Sequence, residues 1–216
     1  MQHPRLTLFL AIGAGLFAQT QTPIDNDQVR VVQVTDRPHV KSQPHEHKLN
    51  RVMIYIEAGR HEITKDGKKV AAEWKAGAVK WSPASGTHVS EIVSDAPVTM
   101  VEVEIKKEGD PGKVVNTPLD PVKVDPKDYK VEFENSQVRV TRVRIGPHRS
   151  VPLHEHILNR VVVYLTDQNT RMTTPDGKEE TAKHKAGEVS WGGLTRHKEE
   201  NLNGKVFEAV VVELKN

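Results

Sequence analysis

Cysteine is absent from the 216 residues. Disulfides and thiolate ligands are thereby excluded together: stability must come from packing, and any metal must be held by nitrogen and oxygen. A dominant charge of one sign is also missing. Lys and Arg number 31 against 29 Asp and Glu, a formal net charge of +2. It is spread along the chain without the basic stripe that a phosphate backbone requires, so nucleic acid is not an implied partner. No apolar run is long enough for a comfortable membrane span. The N-terminal run Leu6–Ala18, preceded by Arg5 and followed by Gln-Thr-Gln-Thr-Pro, has instead the layout of a secretory signal peptide. Residues 1–20 are expected to be removed, leaving a periplasmic or secreted bacterial protein with no membrane partner. Helical periodicity is missing from all that follows.

What is present is a repeat. Asp27-Gln-Val-Arg-Val matches Ser136-Gln-Val-Arg-Val, Pro38-His39 matches Pro147-His148, and His45-Glu-His-Lys-Leu-Asn-Arg-Val matches His154-Glu-His-Ile-Leu-Asn-Arg-Val, all 109 residues apart. Asp66-Gly67, Lys75-Ala-Gly77 and Trp81 recur at an offset of 110, and His88 returns to 109 at His197. Single-residue indels at two loop positions leave the strands in phase. Between the copies, Pro111, Pro118, Pro121 and Pro126 stand among charged and small residues, a semi-extended linker. The expected organisation is two whole domains, residues 22–107 and 128–216, joined by 108–127.

Each copy reads as strand after strand. Val161–Leu165, Val189–Trp191 and Val206–Leu214 are β-rich, and Val138-Arg-Val140 and Val143-Arg-Ile145 alternate with a parity change that predicts a bulge between them. Lys65-Asp-Gly-Lys and Pro175-Asp-Gly-Lys are hairpin signals. Short strands with frequent turns indicate an all-β sandwich or barrel.

Six of the 11 histidines fall at the same three places in each copy. His45 and His47, like His154 and His156, stand two apart, so on a strand both rings project from one face and two imidazoles can reach one ion. His88 and His197 can complete each set from a neighbouring strand. Three neutral nitrogens leave coordination positions open, the arrangement of a catalytic rather than a closed structural site. Glu46 and Glu155, between the paired histidines, should face the other way. His39 and His148 follow proline as turn residues, and Trp81 and Trp191 read as core.

These motifs resemble the cupin superfamily, and more narrowly a bicupin. The cupin pattern has His-x-His, three or four residues, then Glu, followed by Gly, Pro-x-Gly, His and Asn at set spacings. The first copy supplies His45, His47, Gly77, Pro83, Gly86 and His88; the second supplies His154, His156, Gly187, His197 and Asn201, with Gly193 in place of the proline. The resemblance implies an all-β chain of two tandem jelly-roll β-barrels (double-stranded β-helices), each with its site inside and a divalent Fe, Mn, Ni or Zn ion as cofactor.

One departure is shared by both copies: Arg51 and Arg160 stand where the family has its metal-binding Glu. A guanidinium stays protonated and cannot ligate a cation. At about 5 Å from a divalent ion, repulsion at an effective dielectric of 20 is on the order of 6 kcal/mol. Three arrangements are open: the arginine faces away and anchors a strand, it lines the pocket as a substrate-binding group bridged to the metal by an anion, or it replaces the metal. Two functions follow. One is an exported metal-dependent enzyme of oxygenase, isomerase or lyase type acting on a small anionic or polyhydroxylated molecule; the other is a non-catalytic binding or sensing module for sugars or organic acids. The oligomeric expectation is a monomer or homodimer.

Overall fold

The computed structural model describes residues 19–216; of the expected signal segment, residues 1–18 lie outside the described residues. The first copy forms nine strands: β1 (Gln19–Asp25), β2 (Val29–Asp36), β3 (His45–His47), β4 (Arg51–Tyr55), β5 (Gly59–Lys65), β6 (Lys68–Trp74), β7 (Val79–Ser82), β8 (Ser85–Ile92) and β9 (Val98–Ile105). One short helix follows, α1 (Pro121–Val124). The second copy repeats the pattern as β10 (Tyr129–Glu134), β11 (Val138–Ile145), β12 (Ser150–His156), β13 (Arg160–Tyr164), β14 (Gln168–Thr173), β15 (Glu179–His184), β16 (Val189–Gly192), β17 (Thr195–Asn201) and β18 (Phe207–Leu214). Five-stranded sheets run β1-β2-β9-β4-β7 and β10-β11-β18-β13-β16, and four-stranded sheets run β3-β8-β5-β6 and β12-β17-β14-β15. Each copy is thus two antiparallel sheets, a jelly roll. Among the described residues no helix is long and apolar enough to cross a membrane.

Local chemistry sets the turns. Asp66 and Gly67 both take positive φ, 50° and 72°, the two-residue turn whose twist matches the strands it joins. His39 and His148 also sit at positive φ, as turn histidines do.

The two barrels share a core. Val29, Val31, Val52, Ile54, Val101 and Val103 of the first copy cluster with Val138, Val140, Val161, Val163, Val210 and Val212 of the second, so each five-stranded sheet is covered on both faces, by the other barrel on one and by its own barrel's interior on the other. Each fully buried side chain contributes about 1.5–3 kcal/mol. Polar contacts repeat across this interface with approximate two-fold symmetry. Asn50 donates to Gln137 at 2.6 Å and Asn159 to Gln28 at 2.7 Å; Gln33 donates to the Gly187 carbonyl at 3.1 Å and Arg142 to that of Gly77 at 2.6 Å.

The double-sided sheets explain the parity change in β11. Val138 and Val140 face the shared core, Val143 and Ile145 the interior of the second barrel. β11 pairs β18 without a break; the bulge falls on β10, between Val131 and Phe133. Trp81 packs against the shared core, whereas Trp191 is 38% exposed.

The proline-rich segment is docked rather than free. Gly109 lies so close to Ser136 and Gln137 that a Cβ would clash with the Ser136 carbonyl oxygen. Asp120 caps α1 and holds the buried Arg139 at 3.0 Å, and Glu155 donates its backbone N–H to the Leu119 carbonyl at 2.8 Å.

Candidate metal centres

In each barrel the strand register brings the three histidines together. His45 stands opposite His88 in the β3–β8 pair, and His154 opposite His197 in β12–β17; the second member of each His-x-His projects from the same face. One ligand nitrogen from each of His45, His47 and His88 lies within 4.8 Å of the others, and the same holds for His154, His156 and His197. Ring centroids are 4.4–5.3 Å apart in the first set and 4.5–5.8 Å in the second.

Protonation and tautomer suit a cation. Burial above all, with the neighbouring positive groups, lowers His47 to about 3 and His197 to about 2 and depresses His88, His154 and His156, which favours the neutral form of these five rings at physiological pH. Nδ1 of His45 faces the Gln43 carbonyl at 2.9 Å, that of His88 the Gly86 carbonyl at 3.1 Å and that of His154 the Pro152 carbonyl at 2.9 Å. A carbonyl only accepts, so these nitrogens carry the proton and Nε2 keeps its lone pair for a metal. His156 Nδ1 meets Glu213 at 3.2 Å, and His47 Nδ1 lies 3.6 Å from Glu102. The donor set fits a divalent ion with open positions.

The arginines point inward, which decides the orientation among the three arrangements. Along β13, Val161 and Val163 are taken by the shared core, so the alternation of a strand turns Arg160, Val162 and Tyr164 into the barrel. Along β4, Val52 and Ile54 do the same for Arg51, Met53 and Tyr55. Arg51 lines a cavity of about 370 Å³ with His45, His47 and His88; Arg160 lines one of about 290 Å³ with His156 and His197.

The two cavities differ in charge balance. Arg51 pairs with Glu102 at 3.1 Å, yet its buried Nη1 has no partner among the described residues. Arg160, 9% exposed, has no carboxylate within ion-pair distance among the described residues. It donates to the Gly193 carbonyl and lies across Gly192, where a Cβ would come within 2.9 Å of Arg160 Cζ.

Several lining residues of the second cavity carry no repeat signal. Tyr129 donates to Glu199 at 3.1 Å, with its oxygen 3.5 Å from His154 Nε2. Gln168 donates to Glu199 at 3.2 Å and to Thr170 at 3.0 Å. Burial raises Glu199 to about 7, and Glu213 likewise to about 7. The repeat counterparts of Tyr129, Gln168 and Glu199 are Thr20, Gly59 and Ser90. Glu199 follows His197 by two residues on one strand, a signal that was available in the sequence. Glu155 faces outward to Thr117 and Arg196. Asn201 ties together the carbonyls of Ile145, Gly146 and Lys205, a structural role. His39 and His148 join neither histidine set.

No family model matches the chain, and no curated protein matches it by sequence. Solved structures do. AerE from Microcystis aeruginosa superposes with a TM-score of 0.68 at 14% identity, over 95% of this chain and 96% of that one. A cupin 2 conserved barrel domain protein from Leptotrichia buccalis gives 0.55 at 14%, over 93% and 90%. Oxalate decarboxylase from Bacillus subtilis, an enzyme with Mn(II) centres, gives 0.61 at 15%, over 92% and 72%. At such identities the likeness speaks for architecture, and with two jelly rolls each enclosing three convergent histidines, the chain has the fold of a bicupin.

Proposed function

We propose that this protein is an exported metal-dependent bicupin enzyme that acts on a small carboxylate in its second barrel. The observation that carries the reading is Arg160, a buried guanidinium with no carboxylate within ion-pair distance among the described residues, lining the cavity that His156 and His197 also line. A buried charge needs a counterion, and an anionic substrate supplies one through a charge-assisted hydrogen bond. A divalent ion held by His154, His156 and His197 would supply Lewis acidity toward the carboxylate or an adjacent carbonyl. The chain's own groups do the rest: Arg160 binds and orients the anion, the apolar wall of Val143, Val162 and Phe207 excludes water, and Tyr129 keeps its proton directed at Glu199.

The first barrel favours a second reading for itself. There Glu102 already neutralises Arg51, and Gly59 and Ser90 replace Gln168 and Glu199, which supports a metal-holding or ligand-binding role without turnover.

The test is element analysis of the purified chain, followed by calorimetric titration with mono- and dicarboxylates and neutral sugars and by turnover assays with added iron, manganese, nickel or zinc. The reading expects bound divalent metal, preference for carboxylates, turnover of at least one, and at least a roughly tenfold loss of carboxylate affinity in Arg160→Met. Carboxylate affinity unchanged in Arg160→Met would sink it.

A further inference from the structure

The second cavity holds one polar atom that the carboxylate alone does not satisfy. Gln168 is 7% exposed, lines the cavity, and its Oε1 has no hydrogen-bond partner among the described residues. The orientation of this amide is fixed by its surroundings. Nε2 donates both to the Glu199 carboxylate, at 3.2 Å, and to the Thr170 hydroxyl, at 3.0 Å. In this arrangement Glu199 accepts from both Tyr129 and Gln168, and exchanging the amide ends would take one of those donors away, so Oε1 is the end turned away from it. A buried amide oxygen left without a donor is costly. The cavity therefore presents a guanidinium with no ion-pair partner among the described residues, Arg160, and an acceptor without a donor, Gln168 Oε1.

We infer that the ligand of the second barrel is a hydroxy-carboxylate, whose carboxylate meets Arg160 and whose hydroxyl donates to Gln168 Oε1. This rests on the reading of Arg160 as the anion anchor and adds the second contact. The feature belongs to the second barrel alone. At the repeat position the first barrel has Gly59, where a Cβ would lie 2.9 Å from the Trp74 ring, so the space a glutamine would need is filled by an indole.

The hydroxyl of such a ligand can also chelate a metal, so the experiment uses the full chain freed of metal by chelation. Succinate, both enantiomers of malate, and methoxysuccinate are titrated calorimetrically. These ligands share their carboxylates and differ only in a hydroxyl donor, present, absent, or methylated. The better malate enantiomer is expected to bind roughly 3- to 10-fold more tightly than succinate, with methoxysuccinate no better than succinate. In Gln168→Met the malate advantage should vanish while succinate affinity holds within about twofold. Equal binding of malate and succinate by the wild-type chain, or methoxysuccinate binding as well as malate, overturns the inference without any variant being needed. So does a malate advantage that survives Gln168→Met. In each of these cases the anion reading stands if Arg160→Met weakens all the acids. Carboxylates that bind no differently to wild type and Arg160→Met overturn that reading, and this inference with it.

Discussion

Asn159 of the second barrel donates to Gln28 of the first at 2.7 Å, and the repeat partners of these residues make the same contact in reverse, Asn50 to Gln137 at 2.6 Å. The asparagine of each His-Glu-His-x-Leu-Asn-Arg stretch therefore serves the contact between barrels, while its histidines and arginine serve the cavity.

With the valine core also shared, the barrels should unfold as one unit. Val161→Ala, at a site with 0% exposure in the shared cluster, is expected to cost about 1–3 kcal/mol and to move a single calorimetric transition as a whole. Two transitions, only one of them shifted, would contradict the shared core.

His154→Ala removes one of three ligand nitrogens from the second centre and none from the first. Metal content should fall by the share held in the second barrel, with the first barrel's share retained. Measuring ions per chain in this variant and in His45→Ala checks the assignment; unchanged content in both variants would refute it.

Acid should weaken the metal-free protein from about pH 6.5 downward. His47, His61 and His197 have folded-state values of about 3, 4 and 2, chiefly through burial, and His88, His154 and His156 are also lowered. Each depressed value contributes stability that is present above the unfolded value near 6.5 and is lost as pH falls toward the folded one. Glu199 and Glu213, raised to about 7 by burial, act oppositely, their contribution being present below about 4.5 and lost as pH rises through 7; Glu102 and Asp36 are raised too. Six histidines outweigh four carboxyls between these limits. The urea midpoint of chelator-treated protein should rise from pH 5 to about 6.5 and then level off; a midpoint that falls over that interval would refute the balance.

Gly192→Ala and Gly193→Ala make a matched pair. The first places a methyl 2.9 Å from Arg160 Cζ, whereas the second meets nothing closer than 3.9 Å. Gly192→Ala should cost about 1–3 kcal/mol and displace the guanidinium, weakening carboxylate binding; Gly193→Ala should do neither. Chemical denaturation and calorimetric titration of both variants check this, and equal effects would dissociate Gly192 from the Arg160 position.

The sequence makes the duplication, the barrel architecture and the histidine sets legible because each rests on recurrence: a strand register that pairs His154 with His197 leaves the same imprint at His45 and His88. The direction of Arg160 was not legible. Alternation along Arg-Val-Val-Val-Tyr tells which residues share a face but not which face is the cavity, since the other is covered by a second barrel that no local pattern announces. Tyr129 and Gln168 were hidden for the opposite reason: they have no counterpart in the first copy, and a search by recurrence passes over what is unique.

That uniqueness follows from the covalent joining of the barrels. Were the same face-to-face contact made by two separate identical chains, every substitution would appear in both cavities at once, and a glutamine admitted at position 168 would have to displace an indole from its twin. A single chain releases that constraint. The valine face stays matched, while one cavity keeps an arginine closed by glutamate and the other keeps its arginine open, so one gene product can divide labour between two chambers that began alike.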